Sequence, residues 1–160
     1  MKLHHIVDEN GKSDTHWYAD MQVSDDMTIR NILIDTGASI STLNIKSLSR
    51  IYEKSEKDVR EYLLASGITD KIVQHTATND GVELYGVFLR NIRIDDSVFP
   101  IFKVYTRLDG YVSNLIGMDV LSACQIDLKY TDEGIVDLDV DRYKPNTFGA
   151  AELKSLSETE

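Results

Sequence analysis

The run Ile32-Leu33-Ile34-Asp35-Thr36-Gly37-Ala38-Ser39 places an ionisable side chain where one is costly. Three apolar β-formers drive a strand into the core, and a carboxylate follows at once. A carboxylate at the end of a core strand is strongly unfavourable unless it is hydrogen-bonded. Gly37, which has no Cβ, lets the backbone fold closely around the carboxylate and turn N–H donors toward it. Thr36 adds a hydroxyl able to lock the loop from below. A carboxylate held in this way is suited to proton transfer. The competing reading is a plain turn aspartate, because Asp, Thr and Gly all form turns. Composition alone would produce this tripeptide in a chain of this length on the order of a few per cent of the time. The apolar strand ahead of it adds weight to the chemical reading.

A second run, Leu115-Ile116-Gly117-Met118-Asp119-Val120-Leu121, combines a short buried stretch, a glycine and the start of a helix. Gly117 permits a strand end to pack tightly against another loop. Asp119 reads as a cap or brace for the helix, not as a catalytic group. Other reactive side chains carry less. His4 and His5 lack a pattern of nearby ligands that would make a metal site. His75 reads as a solvated strand histidine, and Cys124 as a small buried hydrophobe.

The elements that would position these runs follow from periodicity. Residues 17–23 and 28–34 are β-rich and joined by Ser24-Asp25-Asp26, after a turn at Glu9-Asn10-Gly11-Lys12. Ile45, Leu48, Ile51 and Tyr52 have helical spacing. A second helix is capped by Ser55, with Asp58 at its third position, an apolar face of Val59, Tyr62 and Leu63, and Gly67 to end it. Residues 72–78 and 82–89 flank the hairpin signal Asn79-Asp80-Gly81. Residues 91–94 and 98–105 continue as strands, a short helix covers 118–123, and a terminal hairpin turns at Thr131-Asp132-Glu133-Gly134. Beyond Pro145 the chain is polar and predicts a loose tail over 145–160.

Bulk properties narrow the function. The chain has 160 residues, which suits one domain, and a net charge of −10. That charge argues against a nucleic-acid partner and against docking on an anionic membrane. No apolar run suits a signal peptide or a membrane span. Cys124 is the single cysteine, so no internal disulfide can form. Together these features predict a reducing, cytoplasmic setting.

The two runs, in this order, resemble the retropepsin-like aspartic proteases, and are closer to the cellular and bacterial single-lobe members than to the retroviral ones. The family signature is an apolar strand running into Asp-Thr-Gly-Ala, then apolar residues and a glycine leading into a helix. The likeness covers roughly residues 17–140. Retroviral members carry an Asp where this chain has Ser39 and an Arg where it has Met118, so both partners of that ion pair are absent together. The resemblance implies a mostly-β single lobe, closed and barrel-like with a flap hairpin. It would occupy residues 1–144, with a helical insertion at about 45–67 and one short C-terminal helix. It implies that Asp35 is catalytic with Thr36 and Gly37 as its loop partners. It also implies that Ala38 and the flap residues Thr78, Asn79, Asp80, Gly81 and Tyr85 bind substrate; alternatively, Tyr85 fills a strand face. No metal or cofactor is required.

Asp-Thr-Gly occurs once: Asp95-Asp96-Ser97 lacks the glycine, and Asp132 is followed by Glu133. The resemblance therefore implies a homodimer with two copies of Asp35 in one site, acting as an endopeptidase on a protein or peptide substrate. The alternative is a catalytically silent dimerisation or peptide-binding module on the same fold. A plain structural β-domain leaves the Asp at the end of a buried strand unexplained.

Overall fold

The computed structural model describes residues 2–75, 81–127 and 134–154, without the side chains of 124–127 and 134–138. A hairpin begins the main sheet. β2 (Tyr18–Ser24) and β3 (Met27–Ile34) pair antiparallel around the Asp25-Asp26 turn, as their alternation predicts. Ala19, Met21 and Val23 face the core from β2, and Ile29, Ile32 and Ile34 face it from β3. β1 (Lys2–Leu3) precedes them, and the turn before β2 places Gly11 at φ 77, with its N–H donating to Asp8.

The two predicted helices form as the sequence indicates. α1 (Ile45–Tyr52) is capped by Asn44, whose side chain accepts from the Ser47 N–H. α2 (Glu56–Ala65) is capped by Ser55, whose hydroxyl accepts from the Asp58 N–H at 3.1 Å. Gly67 follows at φ 71, a left-handed conformation that favours glycine. Val59 and Leu63 are buried, whereas Tyr62 lies at the rim with its ring 5.1 Å from that of Tyr52.

The spine of the lobe is β5 (Gly81–Ile94), a single strand where the sequence reads two. It runs through Asn91, which takes φ 55 without breaking the register to β6 (Ser97–Thr106). β6 lines one edge of β5 from Tyr85 to Ile94. Three short strands therefore share the opposite edge. β4 (Lys71–His75) pairs with its start, β10 (Ala151–Leu153) lies parallel to Val87–Leu89, and β2 meets Arg93 and Ile94.

β7 (Leu115–Ile116) lies parallel to the end of β3 and leads into α3 (Met118–Leu121). The strand pairings leave the sheet open between β7 and β6. Thr42 spans that gap with single bridges to Leu115 and to Tyr105. This bridging gives the mostly-β lobe its barrel-like shape around a core that includes Leu43, Leu48, Phe99 and Phe102. A separate three-stranded sheet joins β1, β9 (Gly134–Leu138) and β8 (Cys124–Asp127), the predicted terminal hairpin. Its turn, and the side chain of Cys124, lie outside the described residues. No helix among the described residues is long and apolar enough to cross a membrane.

The expectation of a loose tail beyond Pro145 does not hold for residues up to 153. After a 3₁₀ turn (Val140–Arg142), Tyr143 packs edge-on against Phe99, with ring centroids 5.6 Å apart. Its hydroxyl accepts from the Lys103 N–H at 3.0 Å. The Gly149 carbonyl then accepts from the N–H groups of Thr69 and Asp70, and β10 follows with Ala151 and Leu153 buried. Glu152, between them, accepts from Arg90 Nε at 2.7 Å. The segment is poor in apolar residues because its ordering rests chiefly on backbone hydrogen bonds, which side-chain patterns do not display. Leu153→Ala is expected to cost about 2–5 kcal/mol of unfolding free energy, measured as a lowered denaturant midpoint at unchanged m.

Candidate active site

β3 delivers Asp35 to the end of the core. The Asp35 N–H still donates to the Ile116 carbonyl of β7 at 3.0 Å, so the residue is fixed by the sheet up to its own backbone. The chain then turns. The Ala38 N–H donates back to the Asp35 carbonyl at 3.2 Å, and the Gly37 N–H donates to Asp35 Oδ1 at 2.9 Å. A Cβ on Gly37 would lie 3.2 Å from that same oxygen, tighter than an ordinary contact. The glycine thus does what its position in the sequence suggests: it brings an amide to the carboxylate. Asp35 is half-buried, and Oδ2 has no partner among the described residues.

Thr36 departs from its expected role. It is exposed and makes no hydrogen bond within the described chain, so it does not lock its own loop from below. That support comes from β7 and α3. The Met118 N–H donates to the Ala38 carbonyl at 2.8 Å. Gly117 sits so close to the loop that a Cβ there would lie 2.5 Å from the Ile40 carbonyl oxygen and 2.8 Å from that of Ala38. Only glycine fits without displacing backbone, as the second run predicts.

Ser41 and Asp119 complete the support. The fully buried Ser41 donates its hydroxyl to Asp119 Oδ1 at 2.6 Å, while its N–H donates to Oδ2 at 2.9 Å. The same hydroxyl accepts from the Gly117 N–H at 3.0 Å, and Asp119 Oδ1 also accepts from the Val120 N–H. Each buried polar group in this cluster has a partner, so Asp119 is a brace. Sequence reasoning anticipated Asp119 but missed Ser41. Nothing in Ser39-Ile40-Ser41-Thr42 indicates which hydroxyl turns inward. Asn114 ties the arrangement to α1: it accepts from the Asn44 N–H at 2.9 Å and donates to Ser47 Oγ at 2.7 Å.

The flap residues are placed only in part. Thr78, Asn79 and Asp80 lie outside the described residues. Gly81 opens β5 opposite His75, which is exposed. Tyr85 is half-buried and donates to Glu83 at 2.9 Å, with Lys71 Nζ 5.1 Å from its ring centre. The hydrogen bond to Glu83 holds its hydroxyl above the usual tyrosine pKa. These contacts are with its own hairpin. Ala38 is half-buried beside Asp35. His4 and His5 bind Asn31 and the His16 carbonyl, and no group of three metal-binding side chains occurs among the described residues.

A mostly-β lobe whose core strand delivers Asp-Thr-Gly, with a glycine-bearing turn clamped behind it, has the retropepsin-like fold. The chain is similar to the crystal structure of a retropepsin-like aspartic protease from Rickettsia conorii, with 18% sequence identity and a TM-score of 0.55. The match covers 85% of this chain and 98% of that one. No protein-family model matches the chain, and no curated protein does. At this identity the likeness defines the fold.

Gly117→Ala is expected to destabilise the protein by about 1–3 kcal/mol, because the added methyl forces the Asp35 loop away from β7. A urea titration measures the cost. Amide shifts at Gly37 and Ala38 in heteronuclear NMR spectra would locate the displacement.

Proposed function

We propose that this chain is an aspartic endopeptidase whose active site is completed by a second copy of itself. The observation that carries the reading is the geometry of Asp35. Its carboxylate stands at the end of a core strand, held on one oxygen by the Gly37 amide, with the other oxygen free of partners among the described residues.

One such loop supplies one carboxylate, whereas peptide hydrolysis by this chemistry uses two. A C2 dimer brings the two Asp35 side chains together. Like charges that close resist joint ionisation, so the pair shares a proton and titrates as a unit. The ionised member removes a proton from a water molecule as it attacks the scissile carbonyl. The protonated member donates to the carbonyl oxygen; as the tetrahedral intermediate collapses it recovers that proton, and the other member passes the proton taken from water to the leaving amine. Thr36, exposed and without a partner among the described residues, is free to brace the opposite loop. The substrate lies extended beneath the β4–β5 hairpins, bound through strand-like hydrogen bonds from Gly81 and the neighbouring residues of the flap. The single cysteine favours a cytoplasmic setting.

Two measurements test this reading. Asp35→Asn should lower cleavage of an unfolded protein substrate on the order of a thousandfold, with the fold intact by circular dichroism. Equal cleavage by the two proteins would remove Asp35 from the chemistry. Sedimentation during turnover should find a dimer, and a fully active monomer would exclude the shared site. A chain that binds peptide but never cleaves it would be the silent module instead.

A further inference from the structure

A cavity of about 480 Å³ opens beside the Asp35 loop, between the loop, β6 and the C-terminal strap. Ile40, Lys103, Tyr105, Asp119, Arg142 and Lys144 are among the residues that line it. Its charges are unevenly committed. Asp119 spends its oxygens on Ser41 and Val120. Asp70, behind the cavity, pairs with Lys103 and accepts from the Tyr105 hydroxyl at 2.9 Å. Burial pushes the Lys103 ammonium pKa down, but the hydrogen bonds to Asp70 and Tyr105 outweigh it, so the group stays charged. Arg142 and Lys144 are exposed, and neither has an ionic partner among the described residues. A chain of net charge −10 therefore keeps two unpaired cations at the mouth of one cavity.

The cavity is also within reach of the proposed substrate. Ile40 and Asp35 share a loop, so at most about 18 Å of chain separates them. An extended peptide advances about 3.4 Å per residue. A side chain a few positions from the bond at Asp35 can thus enter the cavity. We propose that the cavity is a carboxylate subsite, in which Arg142 and Lys144 receive a Glu or Asp side chain of the peptide substrate. The ligand's identity rests on the peptide-cleaving reading of Asp35, whereas the preference for an acid rests on the strap. Long-range electrostatics acts in the opposite sense. The protein's overall charge disfavours an anionic peptide, so a preference for one must arise locally and should weaken as salt screens it.

Binding is best measured in the Asp35→Asn protein, where hydrolysis plays no part. Ten-residue fluorescein-labelled peptides would carry one Glu, walked through successive positions, each matched with its Gln counterpart. Fluorescence anisotropy should show a preference for Glu of about tenfold at one position or two adjacent ones. Arg142→Gln/Lys144→Gln should reduce that ratio to near one at an unchanged melting temperature, and Arg142→Lys should retain most of it. Equal affinity for the paired peptides, no binding of either, or a ratio untouched by the double substitution would overturn the proposal. Tight binding of glutarate with no peptide preference would make this a site for a free acid and also overturn it. If the ratio holds while the unsubstituted chain cleaves nothing, the reading of Asp35 fails and the carboxylate subsite stands.

Discussion

The lobe depends on how closely the turn at Gly117 approaches the loop that follows Asp35. Strand β3 can bring a carboxylate to the core's edge but cannot hold the chain beyond it. The hold comes from behind, through the Met118 amide on the Ala38 carbonyl and the Ser41 hydroxyl between Gly117 and Asp119. All of these contacts require backbone to approach backbone at a distance that a side chain at position 117 would forbid. Asp119, half-buried, is held by hydrogen bonds from fixed donors. Loop and turn are thus one rigid unit, and the exposed side of that unit presents Asp35 and Thr36 outward.

That unit is joined to the rest of the lobe through β3, β6 and the start of α1. Thr42 connects β6 to β7, and Asn114 connects β7 to the start of α1. The helical insertion therefore packs on the frame that carries the site without entering it. β5 collects three strands from distant parts of the sequence on one edge.

The sequence made legible those features that rest on side-chain periodicity or on one required residue type. The β2–β3 hairpin, both capped helices, Gly67, Gly117 and the strand into Asp35 are of this kind. What it hid depends on backbone pairing or on local geometry without a compositional mark. The strands 82–89 and 91–94 read as two but form the single β5, whose register passes Asn91 at φ 55, opposite Pro100, which has no N–H to donate. Ser41 looks like any loop serine. Tyr62 follows the apolar spacing of α2, yet its size leaves it at the rim beside Tyr52. Thr36 suggests a local lock, but its hydroxyl faces outward.

The position of β10 also bears on the order in which the chain can be completed. Ala151–Leu153 fills a gap on β5 between two strands synthesised far earlier, and it lies parallel to its partner. While the polypeptide is leaving the ribosome, that stretch of β5 keeps unpaired amides and carbonyls until residue 153 has emerged. The Asp35 loop and its clamp at Gly117 are complete well before then. Closure of a sequence-distant, parallel pairing is slow, so the nascent lobe passes through a stage in which its reactive loop is formed but its spine remains open to pairing with other chains.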